Sequence, residues 1–178
     1  MTPQDLARAT GARIDRAQTF LPIIEIAAPD FGIDNDDRMA AFLAQVGHES
    51  GGLHWLVEIW GPTEAQRRYE GREDLGNTEP GDGPRFKGRG LIQITGRSNY
   101  GRCSQALYGE MQHLIDHPEI LELPDPAARS AGWFWLAHHL NEPADQGAFE
   151  RITRIINGGT NGLMERVAYH ERAQRVLA

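Results

Sequence analysis

The sequence predicts a mainly α-helical domain with one long irregular lobe and a binding groove between the two. Apolar residues recur at helical spacing in the first and last thirds of the chain. Between them, Gly61–Gly90 contains seven glycines and three prolines, a density typical of loops. The 178 residues fit one domain, since a domain usually has roughly 150. A groove between a helical body and an irregular lobe is a natural place for a ligand.

The first two helices are indicated by capping residues and by periodicity. Thr2 followed by Pro3 is typical of a helix start, because proline suits the first helical position. Apolar residues then follow helical spacing over Ile14–Ile24. Within that stretch we expect Pro22 to break or restart the helix, because proline removes a backbone hydrogen bond.

The third helix has the clearest pattern in the chain. Asn35 can cap its start, and two aspartates that follow complement the helix dipole. Gly51 and Gly52 supply its end. Its apolar residues recur at i, i+3, i+4 and i+7, namely Met39, Phe42, Leu43 and Val46.

The rest of the chain divides into the lobe and a second group of helices. An irregular stretch as long as Gly61–Gly90 is usually functional in a compact domain, and we expect a short β-hairpin within it. Helices then return: Asp125-Pro126 predicts one start, Asn157-Gly158 predicts one end, and Asn161 is expected to cap the last helix.

Composition excludes several classes of protein. Hydrophobic residues make up 40% and charged residues 24%, which excludes disordered and fibrous chains. A formal net charge of −7 argues against a nucleic-acid-binding protein. The single cysteine, Cys103, cannot form an internal disulfide, and we interpret it as a buried or incidental thiol. No apolar run approaches the ~18 residues of a membrane helix, so we expect no stable membrane insertion.

The charge is unevenly distributed. From Arg151 onward the chain carries five arginines and two glutamates, a local charge of +3, which leaves −10 for residues 1–150. This basic end is suited to a polyanionic surface such as a bacterial envelope, although a solvated helix face has the same pattern. No repeat or linker marks a boundary, so we expect a single catalytic domain over residues 1–178, without a separate wall-binding domain, that acts as a monomer.

Glu49 is the first candidate for chemistry. Extending the apolar stripe of the third helix by three residues reaches Glu49. A carboxylate on a buried helix face is partly desolvated, and desolvation raises the pKa of a carboxyl group. A general acid that works near neutral pH needs such an environment. The alternative is a glutamate exposed at a fraying last turn.

A second carboxylate, Glu58, follows nine residues later. On one continuous helix the two side chains would point in opposite directions. Because Gly51-Gly52 breaks the helix, Glu58 can return across a cleft toward Glu49. Two facing carboxylates are the equipment of a glycoside hydrolase: one protonates the leaving oxygen, and the other activates water or attacks the sugar.

A row of polar side chains follows the lobe, with Gln93, Thr95 and Asn99 spaced by two and four residues. If residues 91–95 are extended, Gln93 and Thr95 share one face while Ile92 and Ile94 point to the core. Such a row can bind sugar hydroxyls and N-acetyl groups or hold a catalytic water. A polar strand face that meets solvent would have the same pattern.

Metal chemistry is excluded by spacing. His48-Glu49 begins like a zinc-protease motif, which needs a second histidine four residues after the first. That position is Gly52, and His54 comes six residues after His48, on the wrong helical face. We therefore expect no metal and no cofactor.

Three segments resemble a known family when they are taken in order: AFLAQVGHESGGL, DLGNTEPGDGPRFKGRGLIQITGRSNYG and IINGGTNG. They resemble the family-19 glycoside hydrolases, which are plant-type chitinases and their bacteriophage endolysin relatives. The matching stretches run from about Ala40 to Arg172. The segments EIWGPT and DLGNTEPGDG look more like the phage and prophage branch. Plant members are secreted and disulfide-bonded, whereas this chain has one cysteine and no secretory pattern over Met1–Asp5.

The resemblance implies a lysozyme-like helical fold and an inverting mechanism without metal or cofactor. Glu49 matches the general acid of the family, and Glu58 matches the general base of the endolysin branch. Thr95 stands where the family has a serine or threonine that helps to hold the attacking water. If Glu58 is not the base, Glu70 or Glu73 is the next candidate.

The resemblance also implies substrate contacts. Gln93 and Asn99 match groove residues, and Asn157 matches the asparagine of an Asn-Gly-Gly motif. Arg166 is the candidate for an arginine that the family places in its final helix, near the acid and base. The candidate substrate-binding residues are thus Gln93, Asn99, Asn157, Arg166, His48 and Tyr100.

The resulting hypothesis is an endolysin-type hydrolase that cleaves β-1,4 bonds in the glycan strands of peptidoglycan. It would accumulate in the host cytoplasm and reach the cell wall after the inner membrane is permeabilised. The first alternative is a chitinase, because chitin and peptidoglycan share N-acetylglucosamine. The second is a non-catalytic carbohydrate-binding protein, against which the retention of both glutamates speaks.

Overall fold

A computed structural model describes all 178 residues and confirms the mainly helical prediction. Strand structure is confined to two isolated β-bridges. Three short 3₁₀ turns lie at Ala28–Phe31, Glu73–Leu75 and Pro118–Glu122. The eleven helices are α1 Pro3–Thr10, α2 Ile14–Ala27, α3 Asp36–Glu49, α4 Glu64–Arg67, α5 Asp82–Arg85, α6 Arg97–Tyr108, α7 Gln112–Asp116, α8 Pro124–Ala137, α9 Asn141–Asp145, α10 Phe149–Asn157 and α11 Leu163–Leu177.

The capping residues identified in the sequence begin the first and third helices, and the two predicted glycines follow the end of the third. Thr2 forms a capping box at the start of α1, with a proline at the first helical position. Asn35 Oδ1 accepts a hydrogen bond of 2.9 Å from the backbone N–H of Arg38 at the start of α3. After α3, Gly51 and Gly52 have φ values of 58° and 74°, a left-handed region that favours glycine. These local signals are sufficient to define the helix that carries Glu49.

The prediction for Pro22 is wrong, because α2 continues through it from Ile14 to Ala27. An interior proline costs a helix about 3 kcal/mol. Phe20, Leu21 and Ile24 are all buried on the core face of this helix. Burying large apolar side chains contributes about 1.5–3 kcal/mol each, so the packing offsets the cost of the proline.

Two other helix starts differ in detail. α8 begins at Pro124, so Asp125 lies in its first turn instead of capping it. Asn161 does not cap α11: Gly162 occupies the cap position with a φ of 70°, and no side chain caps the helix. The backbone carbonyl of Asn161 instead accepts a hydrogen bond from Arg166 Nε, at 3.2 Å.

α3 lies at the centre of the larger of two hydrophobic clusters and packs against α1 and α11. Its residues from Ala40 to Gly47 are all buried. The approach to α1 is close, because a Cβ on Gly47 would lie 2.7 Å from the carbonyl oxygen of Thr10. A smaller cluster beneath the lobe contains Phe86 and Tyr100. The core thus holds α3, and with it Glu49, between the first and last helices.

The lobe contains no β-hairpin, and residues 91–95 do not form an extended strand. Two isolated bridges join Val57 to Arg89 and Arg89 to Ile94. Gln93 has a φ of 56°, and its backbone N–H donates to the Gly90 carbonyl at 3.2 Å, which closes a turn. The side chain of Gln93 also donates to that carbonyl, at 2.9 Å. This local hydrogen bonding favours the turn over a strand.

The one cysteine of the chain lies in the core. Cys103 is fully buried, and this burial raises the pKa of its thiol to about 12, as befits an inert side chain. None of the helices combines the length and the apolar character that crossing a membrane requires.

Candidate active site

Glu49 is the last residue of α3, and its side chain is 21% exposed. It forms an ion pair with Arg166 of α11, whose Nη2 donates to Glu49 Oε1. No protein group donates to the other carboxylate oxygen, Oε2. Glu49 therefore lies on the buried face, as the apolar stripe predicts, and not on an exposed fraying turn.

Arg166 belongs to a buried network that continues into the core. The residue is only 1% exposed, and its Nη1 donates to Gln45 Oε1 at 2.5 Å. Gln45 Nε2 in turn donates to Thr153 Oγ1 at 2.9 Å. Sequence reasoning missed Gln45 and Thr153, although a glutamine one turn before Glu49 on a buried face was a usable signal. The burial of Arg166 and its contact with Glu49 place it near the candidate acid, as the resemblance implies, and a contact with substrate stays a prediction.

Glu58 lies beside the lobe, and three donors from the lobe hold its carboxylate. Oε1 accepts from Gln66 Nε2 at 2.8 Å and from the Tyr69 hydroxyl at 3.4 Å. Oε2 accepts from the backbone N–H of Gly88 at 3.0 Å. Burial of Tyr69, together with the charge of Glu58, raises the pKa of the tyrosine. A carboxylate with donors on both oxygens is fixed in direction, which a catalytic base requires.

The chain reverses direction between the two carboxylates. After the two glycines, the backbone N–H of Leu53 donates to Ser50 Oγ at 2.8 Å and closes the turn. The segment then runs beside the lobe, since Gly90 N donates to the Leu56 carbonyl at 2.9 Å and Glu58 N to the Gly88 carbonyl at 2.8 Å. Glu49 thus belongs to the helical body, and Glu58 belongs to a segment that is hydrogen-bonded to the lobe.

Gln93 lies beside the peptide that holds Glu58. A Cβ on Gly88 would lie only 2.8 Å from Gln93 Oε1, so this side chain covers the glycine. Gly88 is the residue whose N–H donates to Glu58. The left-handed turn at Gln93 therefore places its amide against Gly88, one residue removed from the carboxylate of Glu58.

Thr95 and Asn99 continue from Gln93 as a hydrogen-bonded chain of half-buried side chains. Thr95 Oγ1 donates to the Gln93 carbonyl at 2.9 Å. Asn99 Nδ2 donates to the Thr95 carbonyl at 2.8 Å. The lone pairs of the Thr95 hydroxyl remain available to accept a hydrogen bond from water.

His48 and Asn157 have different surroundings. His48 Nδ1 lies 2.8 Å from Glu165 Oε2, and its ring packs on Gly162, where a Cβ would lie 2.3 Å away. These contacts hold the start of α11, so His48 supports the helix that carries Arg166. Asn157 ends α10, and its Nδ2 is buried without a hydrogen-bond partner in the protein.

The buried position of Tyr100 corrects its assignment as a substrate contact. The side chain is fully buried. Its hydroxyl donates to the Lys87 carbonyl at 2.7 Å and accepts from Arg89 Nη1 at 3.0 Å. Burial raises the pKa of Tyr100 well above its usual range. Tyr100 therefore supports the backbone segment that includes Gly88.

The two reserve candidates for the base also have defined positions. Glu70 accepts hydrogen bonds from the backbone N–H groups of Gly81, at 2.6 Å, and Gly83, at 2.8 Å. Both carboxylate oxygens of Glu70 thus hold a turn of the lobe. Glu73 lies exposed on a 3₁₀ turn and forms no ion pair. Neither glutamate has the set of donors that surrounds Glu58.

Comparison with known proteins bears out the family resemblance. The family model for glycoside hydrolase family 19, described as chitinase class I, matches residues 11–172. A glycosyl hydrolase family 19 domain-containing protein of Haemophilus influenzae is 33% identical over 76% of this chain and 78% of its own length. An endochitinase of Pisum sativum is 30% identical over 80% of this chain. The chain spans about half the length of that plant relative, 55%.

Solved structures agree on the fold. Chitinase C of Streptomyces griseus matches 99% of this chain and 76% of its own, with a TM-score of 0.75 at 21% identity. A family-19, class IV chitinase of Zea mays matches 90% of this chain and 80% of its own, with a TM-score of 0.66 at 25% identity. The lysozyme-like, mainly α-helical fold is thereby confirmed. With the two carboxylates on separate parts of that fold, and with the family model matched over most of its length, the chain belongs to the family-19 glycoside hydrolases.

Proposed function

We propose that this glycoside hydrolase is an endolysin-type enzyme that cleaves β-1,4 bonds in the glycan strands of bacterial peptidoglycan. One observation carries the catalytic part: Glu49 and Glu58 are held on different parts of the structure, by different sets of partners. Support for the substrate comes from the segments EIWGPT and DLGNTEPGDG, which resemble the phage and prophage branch of the family.

The mechanism that we propose inverts the anomeric centre. Glu49 donates a proton to the glycosidic oxygen as the bond from that oxygen to the anomeric carbon breaks. Because Arg166 occupies Glu49 Oε1, the transferred proton belongs on Oε2. A water attacks the anomeric carbon from the opposite face and gives its proton to Glu58. Solvent then returns both carboxyl groups to their starting protonation states.

The neighbouring polar side chains have roles in this mechanism. Thr95 would accept a hydrogen bond from the attacking water and help to orient it. Gln93 and Asn99 would bind sugar hydroxyl and N-acetyl groups beside Glu58. Asn157 would donate to a glycan carbonyl after its side chain turns outward, because its buried Nδ2 has no partner in the protein and a buried donor without a partner is costly.

A chitinase is the second candidate, because the relative in Pisum sativum is named an endochitinase. Purified protein should be assayed on permeabilised Gram-negative cells, by loss of turbidity, and on a soluble chitin oligomer. Faster lysis than oligomer cleavage supports the endolysin, and the reverse supports the chitinase. Inactivity on both substrates, with retained binding to glycan, would favour a carbohydrate-binding protein. Mass spectrometry of the reducing-end sugar identifies the linkage that is cut.

The proposal also specifies when the enzyme meets its substrate. Peptidoglycan lies outside the inner membrane, so a chain made in the host cytoplasm acts only after that membrane is permeabilised. Expression in Escherichia coli should be tolerated, and co-expression of a pore-forming phage protein should trigger lysis. Lysis of cells with an intact inner membrane would contradict this order of events.

A further inference from the structure

A pocket lies between α1 and α11, outside the candidate active site. Its volume is about 320 Å³, and three arginines dominate its lining. The lining residues are Ala7, Arg8, Arg172, Arg175 and Val176.

This pocket is separate from the site around Glu49. Arg172 and Arg175 follow Arg166 by six and nine residues on α11, which is about 9 and 14 Å along a helix. Nine residues is also two and a half turns, so Arg175 points away from the side on which Arg166 meets α3. A ligand in the pocket would therefore leave the catalytic carboxylates free.

The guanidinium of Arg172 is held in place but is not neutralised. It lies over the ring of Tyr169, 4.3 Å from the ring centroid, and its Nε donates to the Ala168 carbonyl at 3.1 Å. The two terminal nitrogens have no hydrogen-bond partner in the protein. A guanidinium fixed in this way loses little conformational entropy when it binds a ligand.

The other two arginines are at most weakly paired. Arg175 is exposed and forms no ion pair, and Arg8 Nη1 forms one long ion pair with Asp5 Oδ1, at 3.9 Å. Asp5 is already engaged by the Thr2 hydroxyl, at 2.6 Å, which lowers the pKa of the aspartate. The pocket thus gathers three positive charges, and none of its lining residues is acidic.

We propose that the pocket formed by Arg8, Arg172 and Arg175 binds a phosphate group carried on a sugar. Guanidinium groups bind phosphate oxygens through paired, charge-assisted hydrogen bonds. The volume exceeds what phosphate alone requires, and the Ala7 and Val176 side chains offer an apolar surface to the carbon atoms of a sugar ring. Such a site would hold the enzyme on a phosphorylated envelope glycan, and it gives a role to two of the five arginines at the basic end of the chain.

The probes for this proposal are glucosamine 1-phosphate, unphosphorylated glucosamine and vesicles that contain phosphatidylglycerol. NMR titration with glucosamine 1-phosphate should shift signals of Arg8, Tyr169 and Arg172, whereas glucosamine should not. Binding should weaken as salt rises, because exposed charges are screened beyond about 10 Å at 0.1 M salt. Binding to the vesicles without binding to glucosamine 1-phosphate would overturn the assignment to a sugar.

Two double variants distinguish binding in the pocket from a general effect of net charge. The double variant Arg172→Gln/Arg175→Gln should bind glucosamine 1-phosphate at least about tenfold more weakly, which corresponds to ~1.4 kcal/mol. Arg13→Gln with Arg151→Gln removes the same charge from exposed positions outside the pocket and should leave binding unchanged. Both double variants should hydrolyse short soluble oligomers at the normal rate. Equal weakening in the two double variants, or no binding by the unmodified protein, would overturn the proposal.

Discussion

Arg166 and Glu49 form an ion pair although 117 residues separate them in the sequence. The guanidinium is almost fully buried, whereas the carboxylate keeps 21% of its side chain exposed. Removing water from a charged group is costly unless partners replace its hydration. Arg166 finds these partners in Gln45, Glu49 and the Asn161 carbonyl, so the last helix fixes the orientation of the acid on the third.

Glu49→Gln should remove catalysis while preserving the fold. Glutamine keeps the shape and can still accept a hydrogen bond from Arg166, but it has no proton to donate. We expect lytic activity to fall at least ~100-fold, as general acids typically contribute. Turbidity assays measure the loss, and circular dichroism verifies folding. Glu171→Gln, at an exposed position of α11, is the matched control and should retain activity. Normal lysis by a folded Glu49→Gln protein would disprove the assignment.

Inversion at the anomeric centre is the second expectation. A water fits between the two carboxyl groups of an inverting enzyme because they lie about 6.5–9.5 Å apart, compared with ~5 Å in a retaining one. NMR of the first anomer formed from a chitin oligomer should show inversion. Glu58→Gln should abolish this reaction, whereas Glu70→Gln should mainly destabilise the lobe, because Glu70 holds two backbone N–H groups. Retention of configuration would instead identify Glu58, or another carboxylate, as a nucleophile.

Gln45→Leu tests the buried network behind Arg166. The substitution removes the acceptor of Arg166 Nη1 and the donor to Thr153. An unsatisfied buried polar group costs about 1–3 kcal/mol, so the free energy of unfolding should fall by that amount. Because Arg166 then orients Glu49 less well, kcat should fall more than KM rises. The matched control is Gln174→Leu, at an exposed position of α11. A Gln45→Leu protein with unchanged kcat would show that the network is only structural.

The free energy of unfolding should decrease as the pH falls below 6.5, in part because of His170. Burial lowers the pKa of this histidine, whose ring stacks on Phe149 with centroids 4.3 Å apart, while Asp37 and Glu171 act in the opposite direction. A lowered pKa in the folded state means that the unfolded chain binds the proton more readily. The contribution of neutral His170 to the free energy of unfolding is therefore present above the ordinary pKa of 6.5. It is lost as the pH falls through the lower pKa that His170 has in the folded protein. His170→Phe should flatten the pH dependence of the unfolding midpoint below pH 6.5, and an unchanged slope would contradict this prediction.

Local sequence signals were enough for α3 and for the position of Glu49 on it. Asn35 and the two glycines after Ser50 bound this helix through short-range hydrogen bonds and backbone sterics. The 3.6-residue period then places Glu49 at the end of the buried face. The break after it correctly implied that Glu58 belongs to a separate segment.

Local rules failed where long-range packing or a side chain's own hydrogen bonds set the conformation. The core keeps α2 helical across Pro22, and the side-chain amide of Gln93 stabilises a left-handed turn in place of a strand. Periodicity also could not reveal that Tyr100 is enclosed by the lobe, because a tyrosine can face either the core or a ligand.

The sequence by itself determined the helical class and the helix end that presents Glu49, and it named Glu49 and Glu58 as the candidate carboxylates. Tertiary structure alone decided their partners: Arg166 for Glu49, and Gln66, Tyr69 and the Gly88 peptide for Glu58. The reason is physical. Capping and periodicity act over one or two helical turns, whereas a hydrogen bond between distant residues depends on how whole helices pack.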